Sequence, residues 1–224
     1  MAAPTLLEPP AAARQGSAGS GNGARGRGRG DGGRPGDPGD SNSLPLSNER
    51  LLMILALIAS TMLFTALVGA FIVLRAASPV WPPGGSLPLK GALALNTAVI
   101  VVSSAALVVA HVCQRRGRAR GTKLWLLGAT AGAVVFLVLQ ARCWRELLLQ
   151  GFLPATNNYG ASFYLLTITH FVHAAVGLLF LLLASGKALR GYLLPRLSLP
   201  IDLAAMFWHF VDFAWLVIFF LLTA

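Results

Sequence analysis

All four histidines of this chain, His111, His170, His173 and His209, fall in or at the ends of long apolar runs. The last run also holds a carboxylate, within Trp208-His209-Phe210-Val211-Asp212-Phe213-Ala214-Trp215. His170 and His173 are three residues apart, as are His209 and Asp212, so each pair shares one face of a helix. Imidazole and carboxylate together can bind a metal ion, carry a proton or tie helices by hydrogen bonds. A charge in hydrocarbon is costly, so Asp212 is expected to have a partner or to hold a proton. A metal site is the weakest of these readings. There is no HExxH, and no Glu paired with an ExxH of the di-iron kind. A hydrogen-bonded network of neutral histidines fits best, ahead of a role with protons or lipid headgroups. Trp208 and Trp215 are seven apart and flank the same broad side. Cys113 and Cys143 belong to no CxxC. No GxSxG, Walker or GxGxxG sequence marks a catalytic site.

The elements that must position these groups are five apolar stretches at about 49–75, 91–112, 123–146, 161–184 and 201–223. Each has some 20 residues, enough to cross about 30 Å of hydrocarbon as a helix. The chain has 224 residues, 55% of them hydrophobic and 12% charged, with a mean hydropathy of +0.67. Irregular backbone cannot face lipid, so the expected fold is an all-α, polytopic bundle of five transmembrane helices. Four prolines, Pro79, Pro82, Pro83 and Pro88, end the first helix, and Trp81 suits the interfacial aromatic belt. Asn96, Thr97, Ser103 and Ser104 are expected to hydrogen-bond across helices or back to their own backbone. Gly128 and Gly132 form a small-xxx-small pair.

Residues 1–48 are rich in Gly, Pro, Ala, Ser and Arg, and include Gly26-Arg27-Gly28-Arg29-Gly30. Such a tail buries too little apolar surface to order itself and is expected to be disordered. It has no apolar segment of the signal-peptide kind. The formal net charge is +10, but its distribution fits membrane topology better than nucleic-acid binding. Fourteen basic residues lie on the side shared by the tail and the second and fourth joints. Only Arg75, Lys90, Arg142 and Arg145 lie on the other. The expected orientation has the N-terminus cytoplasmic and the C-terminus outside.

Several stretches together carry a family likeness over about residues 50–224. The first helix reads Ala59-Ser60-Thr61-Met62-Leu63-Phe64 to Val73-Leu74-Arg75, followed by Trp81-Pro82-Pro83-Gly84. The second has Leu95-Asn96-Thr97 and Ser103-Ser104. The fourth has Gly160-Ala161-Ser162-Phe163-Tyr164, then Thr167-Ile168-Thr169-His170-Phe171-Val172-His173 and Gly177. The fifth has Phe207 to Trp215. In order and spacing these resemble subunit III of the haem–copper cytochrome c oxidases, in its short five-helix bacterial form. The resemblance implies a subunit with no catalytic residues of its own in a multi-pass bacterial inner-membrane complex. Haem and copper belong to partner subunits. Subunit I would be the main contact, with subunit II and subunit IV nearby, and phospholipid would bind in a cleft. The chain would support proton uptake and sustained oxygen reduction. Arg75, His170, His173, Trp208, His209 and Asp212 would form a structural and lipid-binding polar network, without metal ligands.

The chain departs from the family pattern at two carboxylate positions, where Ser60 and Cys143 stand in place of glutamates. Ile168 and Phe171 replace favoured glycines, so helix four is expected to pack less closely. The missing carboxylates leave room for a nitric oxide reductase accessory protein of the same superfamily, and quinol oxidase subunit III is a near neighbour. A free-standing transporter would need internal repeats and broken helices, and neither is evident.

Overall fold

The computed structural model describes residues 48–81, 90–155, 157–191 and 194–223. The expectations for the 1–47 tail and for the Pro82, Pro83 and Pro88 part of the first joint lie outside them. Five α-helices account for nearly all the described chain: α1 Asn48–Ala76, α2 Lys90–Arg115, α3 Ala119–Leu149, α4 Asn158–Leu189 and α5 Leu194–Thr223. They have 29, 26, 31, 32 and 30 residues. At about 1.5 Å per residue each exceeds the hydrocarbon thickness. All five are apolar enough to span, α5 from Ser198 onward.

The helices run past the apolar stretches read from the sequence, most of all α3, α4 and the start of α5. Polar and basic residues such as Arg120 and Lys187 sit in these extensions. In the headgroup region, water and snorkelling side chains let a helix continue beyond the greasy run that identifies it. Pro200 lies inside α5 rather than ahead of it. It falls in the helix's early turns, where a missing backbone N–H costs less than at mid-span.

Local signals set the turns. Asn157 caps α4, its Oδ1 accepting the Gly160 N–H at 2.7 Å. Between α2 and α3 the chain reverses at Gly117, whose φ of +70° favours glycine. The Arg118 and Gly117 N–H groups close that turn on Cys113 and Gln114 carbonyls.

The α2–α3 hairpin packs side by side, α5 lies against α2 and α4, and α3 against α4. Helix α1 touches α4 and α5, and its buried residues are Met53, Phe64 and Phe71. The core is built around Trp208, Trp215, Phe136 and Phe163, all fully buried. Two glycines permit the closest approaches. A Cβ on Gly132 would sit 2.8 Å from Ser103 Cβ, and one on Gly177 would sit 2.9 Å from the Trp208 ring. Gly128, paired with Gly132 by spacing, meets nothing within 4 Å. Helix α4 is densely packed at Gly177 despite Ile168 and Phe171. Ile168 is exposed, while the Phe171 ring packs tilted against Trp144, their centroids 4.9 Å apart.

Candidate polar network and vestibule

The hydroxyl and amide groups of α2 face their neighbours. Asn96 donates to Gln140 Oε1 on α3 at 2.7 Å. Thr97 donates to its own helix at Leu93 O and accepts the Trp215 indole N–H at 3.0 Å. Ser103 donates to Ala129 O on α3, and Ser104 Oγ lies 2.7 Å from His209 Nδ1 on α5. Each of the four groups singled out in α2 thus bridges to another helix, to its own backbone, or to both. Elsewhere Trp144 donates to Thr167 at 3.1 Å, and Thr130 shares a hydrogen bond with Ser185.

His170 is fully buried, with Nε2 3.0 Å from the Val211 carbonyl. A carbonyl only accepts, so Nε2 carries the proton. Nδ1 then presents a lone pair with no partner among the described residues. The rings of Trp215, Phe136 and Phe64 enclose it, centred 4.9, 5.8 and 6.4 Å away. His173 also packs on Phe64, at 5.0 Å, but turns Nδ1 back to Thr169 O at 2.8 Å. The two histidines share a face and a ring neighbour but not a ligand. His170 ties α4 to α5 through backbone rather than through His209 or Asp212.

His209 meets Ser104 of α2, and Asp212 stands three residues further along α5. Asp212 Oδ1 and Trp208 Nε1 are buried without partners among the described residues. Arg75 occupies the last turn of α1. The two departures from the family pattern sit differently. Ser60 faces outward and bonds its own helix at Ala56 O, while Cys143 is buried in α3. Among the described residues no three His, Cys, Asp or Glu side chains gather as a metal site.

One cluster escaped the sequence reading. Arg50 of α1 pairs with Asp202 of α5 at 2.6 Å. Arg115 donates to His111 Nε2 at 2.9 Å, both on α2. His111 Nε2 also lies 3.6 Å from Asp202 Oδ1, an ion pair only if the ring is protonated. The guanidinium contact is the shorter of the two, and in it His111 Nε2 is the acceptor. These groups rim a cavity of about 620 Å³ that His209 also lines. Their common location was readable in outline, since the start of α1, the end of α2 and the start of α5 share one side of a five-span chain. A smaller apolar groove of about 180 Å³ lies between α1 and α5, lined by Phe64, Val68, Phe210 and Phe213 among others.

Residues 41–223 match the family described as cytochrome c oxidase subunit III. The chain belongs to that family. It is 29% identical over 171 residues to cytochrome c oxidase subunit 3 of Thermostichus vulcanus, covering 76% of this chain and 84% of that one. The Synechocystis sp. protein of the same name is 28% identical over 171 residues, covering 75% and 72%. That of Marchantia polymorpha is 30% identical over 174 residues, covering 75% and 64%. The chain is therefore a multi-pass membrane protein of the subunit III type, a haem–copper oxidase subunit that works in association with other oxidase subunits.

Proposed function

We propose that this chain is the non-redox subunit III of a respiratory cytochrome c oxidase in a bacterial inner membrane. It docks on subunit I, with subunits II and IV nearby, holds phospholipid, and sustains proton uptake while the partner subunits reduce oxygen at their haem and copper centres. The observation that carries the reading is the family match over residues 41–223. The network supports it. Its hydrogen bonds tie α2, α3, α4 and α5 to one another. The outer faces keep apolar side chains such as Leu52, Met62, Val102 and Leu165. Such faces suit docking by van der Waals packing and lipid. The basic rim of the vestibule, Arg50 and Arg115, suits anionic headgroups, each worth about 1 kcal/mol near a surface. The α1–α5 groove suits an acyl chain.

Ser60 and Cys143, standing where carboxylates are usual, motivate the second reading, a nitric oxide reductase accessory protein. Purification of the tagged chain in mild detergent, with mass spectrometry of proteins and lipids and metal analysis, separates the two. Oxidase subunits I and II with retained phospholipid are expected, and all haem and copper should depart when those partners are stripped. Recovery with nitric oxide reductase subunits would replace the oxidase reading. Stoichiometric metal on the stripped chain would refute the non-redox assignment.

A further inference from the structure

The joint between α2 and α3 carries Arg116, Arg118, Arg120 and Lys123 within eight positions. The three arginines are exposed and Lys123 is half-buried. The left-handed turn at Gly117 and the Arg118 N–H bond to Cys113 O hold them on one short connection. None of the four side chains has a hydrogen bond or ion pair among the described residues. Arg115, the fifth cation of the joint, is engaged with His111. No Asp or Glu stands anywhere from Lys90 to Arg145. The start of α3 has neither an acidic residue in its first turn nor a side-chain cap. Four like charges therefore crowd the end of a helix where the dipole favours anions. The counter-charge has to come from outside these two helices.

The strip of α3 that follows the cations points to the kind of anion. Leu124 is 70% exposed and Trp125 44% exposed. Arg120, Leu124 and Gly128 succeed one another at intervals of four along one helix face. A Cβ on Gly128 would meet nothing within 4 Å, so the face is notched there. Arg120 stands about 6 Å ahead of Leu124 along the axis, at 1.5 Å per residue. Cations, a tryptophan of the interfacial kind and an open apolar strip thus follow in the order of a lipid's headgroup and upper acyl chain. A free phosphate or a soluble acidic protein would use the charges and leave the strip bare.

We propose that the α2–α3 hairpin binds an anionic phospholipid, with its phosphate at Arg116, Arg118 and Arg120 and its acyl chain along Leu124, Trp125 and Gly128. Guanidinium offers phosphate oxygens paired N–H donors, so the lipid is selected by the charge of its headgroup rather than by its chains. The site is separate from the cavity that Arg50, Arg115 and His209 line. It rests on the reading of the chain as a lipid-holding membrane subunit, and not on which complex receives that subunit.

The test is fluorescence quenching of the full chain in detergent micelles by phospholipids brominated high on the acyl chain. Phosphatidylglycerol is compared with phosphatidylcholine of the same chains, and the Trp125 share of the signal is the difference from Trp125→Phe. Half-quenching by phosphatidylglycerol is expected at a mole fraction about tenfold or more below that for phosphatidylcholine. The triple change Arg116→Gln, Arg118→Gln and Arg120→Gln should erase the preference and leave phosphatidylcholine quenching as it was. If the triple variant does not fold, Arg118→Gln and Arg120→Gln decide singly, each by a loss of about threefold or more. The change Arg25→Gln, Arg27→Gln and Arg29→Gln removes as much charge from the tail and should keep the preference. Equal losses in the two triple variants would reduce the effect to net charge and overturn the site. Displacement of the lipid by millimolar glycerol phosphate would make it a free-anion site instead. A preference seen in the chain alone but lost in the complex purified with its partners would mark the face as an acidic protein's docking surface. Either result, or no preference at all, would overturn the proposal.

Discussion

Asn96 and Gln140 share one hydrogen bond where two amides could make two, leaving Asn96 Oδ1 and Gln140 Nε2 buried without partners among the described residues. The pair is therefore worth little as a bond but much as mutual protection. Asn96→Leu strands the whole Gln140 amide, a loss of about 1–3 kcal/mol by the cost of an unsatisfied buried group. Interhelical hydrogen bonds in bilayers average nearer 0.6 kcal/mol. The double change Asn96→Leu with Gln140→Leu should consequently recover most of the loss, read as SDS-induced unfolding in mixed micelles. A single-variant cost that persists in the double variant would show that shape, not polarity, matters there. The two buried tryptophans offer a cleaner contrast. Trp215 donates to Thr97, whereas the Trp208 indole N–H has no partner among the described residues. Both rings are fully buried, so Trp→Phe removes similar volume at each. Trp215→Phe should cost about 1 kcal/mol more than Trp208→Phe in the same assay. Equal costs would argue that the Thr97 contact is energetically empty.

At the scale of elements, glycine spacing has to be read against what crosses it. A Cβ at Gly177 would meet Trp208 at 2.9 Å and Phe207 at 3.3 Å, two rings held in the core. Gly177→Ala should force α4 and α5 apart and destabilise by about 1–3 kcal/mol, the usual cost of overpacking. Gly128→Ala, in open space, should be neutral or slightly stabilising through helix propensity. Thermal unfolding of the two variants side by side checks both, and a harmful Gly128→Ala would point to a partner surface on that face. Five helices were legible because hydrocarbon demands long apolar runs with closed backbone bonds, a constraint written into composition. The inward turn of Asn96, Thr97, Ser103 and Ser104 was legible for the same reason. Their partners were not. Gly128 and Gly132 look alike in sequence, and only the α2–α3 crossing makes Gly132 the contact. His170 bonds a main-chain carbonyl at Val211, which no side-chain pattern encodes. Arg50 and Asp202 are separated by 152 positions, and nothing local announces their pairing.

The helical bundle is asymmetric: four helices are laced together by polar contacts, and α1 leans on α4 and α5 with few buried residues. Its first turns are held by the Arg50–Asp202 pair, which is 44% and 23% exposed. A pair so accessible is worth no more than about 1 kcal/mol. Arg50→Gln should therefore raise amide exchange in the first turns of α1 by less than about fivefold and leave α4 and α5 unchanged. A global rise would show that the pair anchors the whole bundle instead. The same residue bears on orientation. Arg50, Arg115 and the joint after α2 lie on the side that collects fourteen of the eighteen basic residues. Lys and Arg resist translocation, so that side is expected to stay cytoplasmic and the end of α5 to emerge opposite. Five spans make the two termini report independently on one arrangement. Alkaline phosphatase fused after Ala224 should be active, and a fluorescent protein that matures only in the cytoplasm should be dark there and bright at the N-terminus. The reverse pattern would invert the bundle and turn the cavity that Arg50, Arg115 and His209 line toward the periplasm.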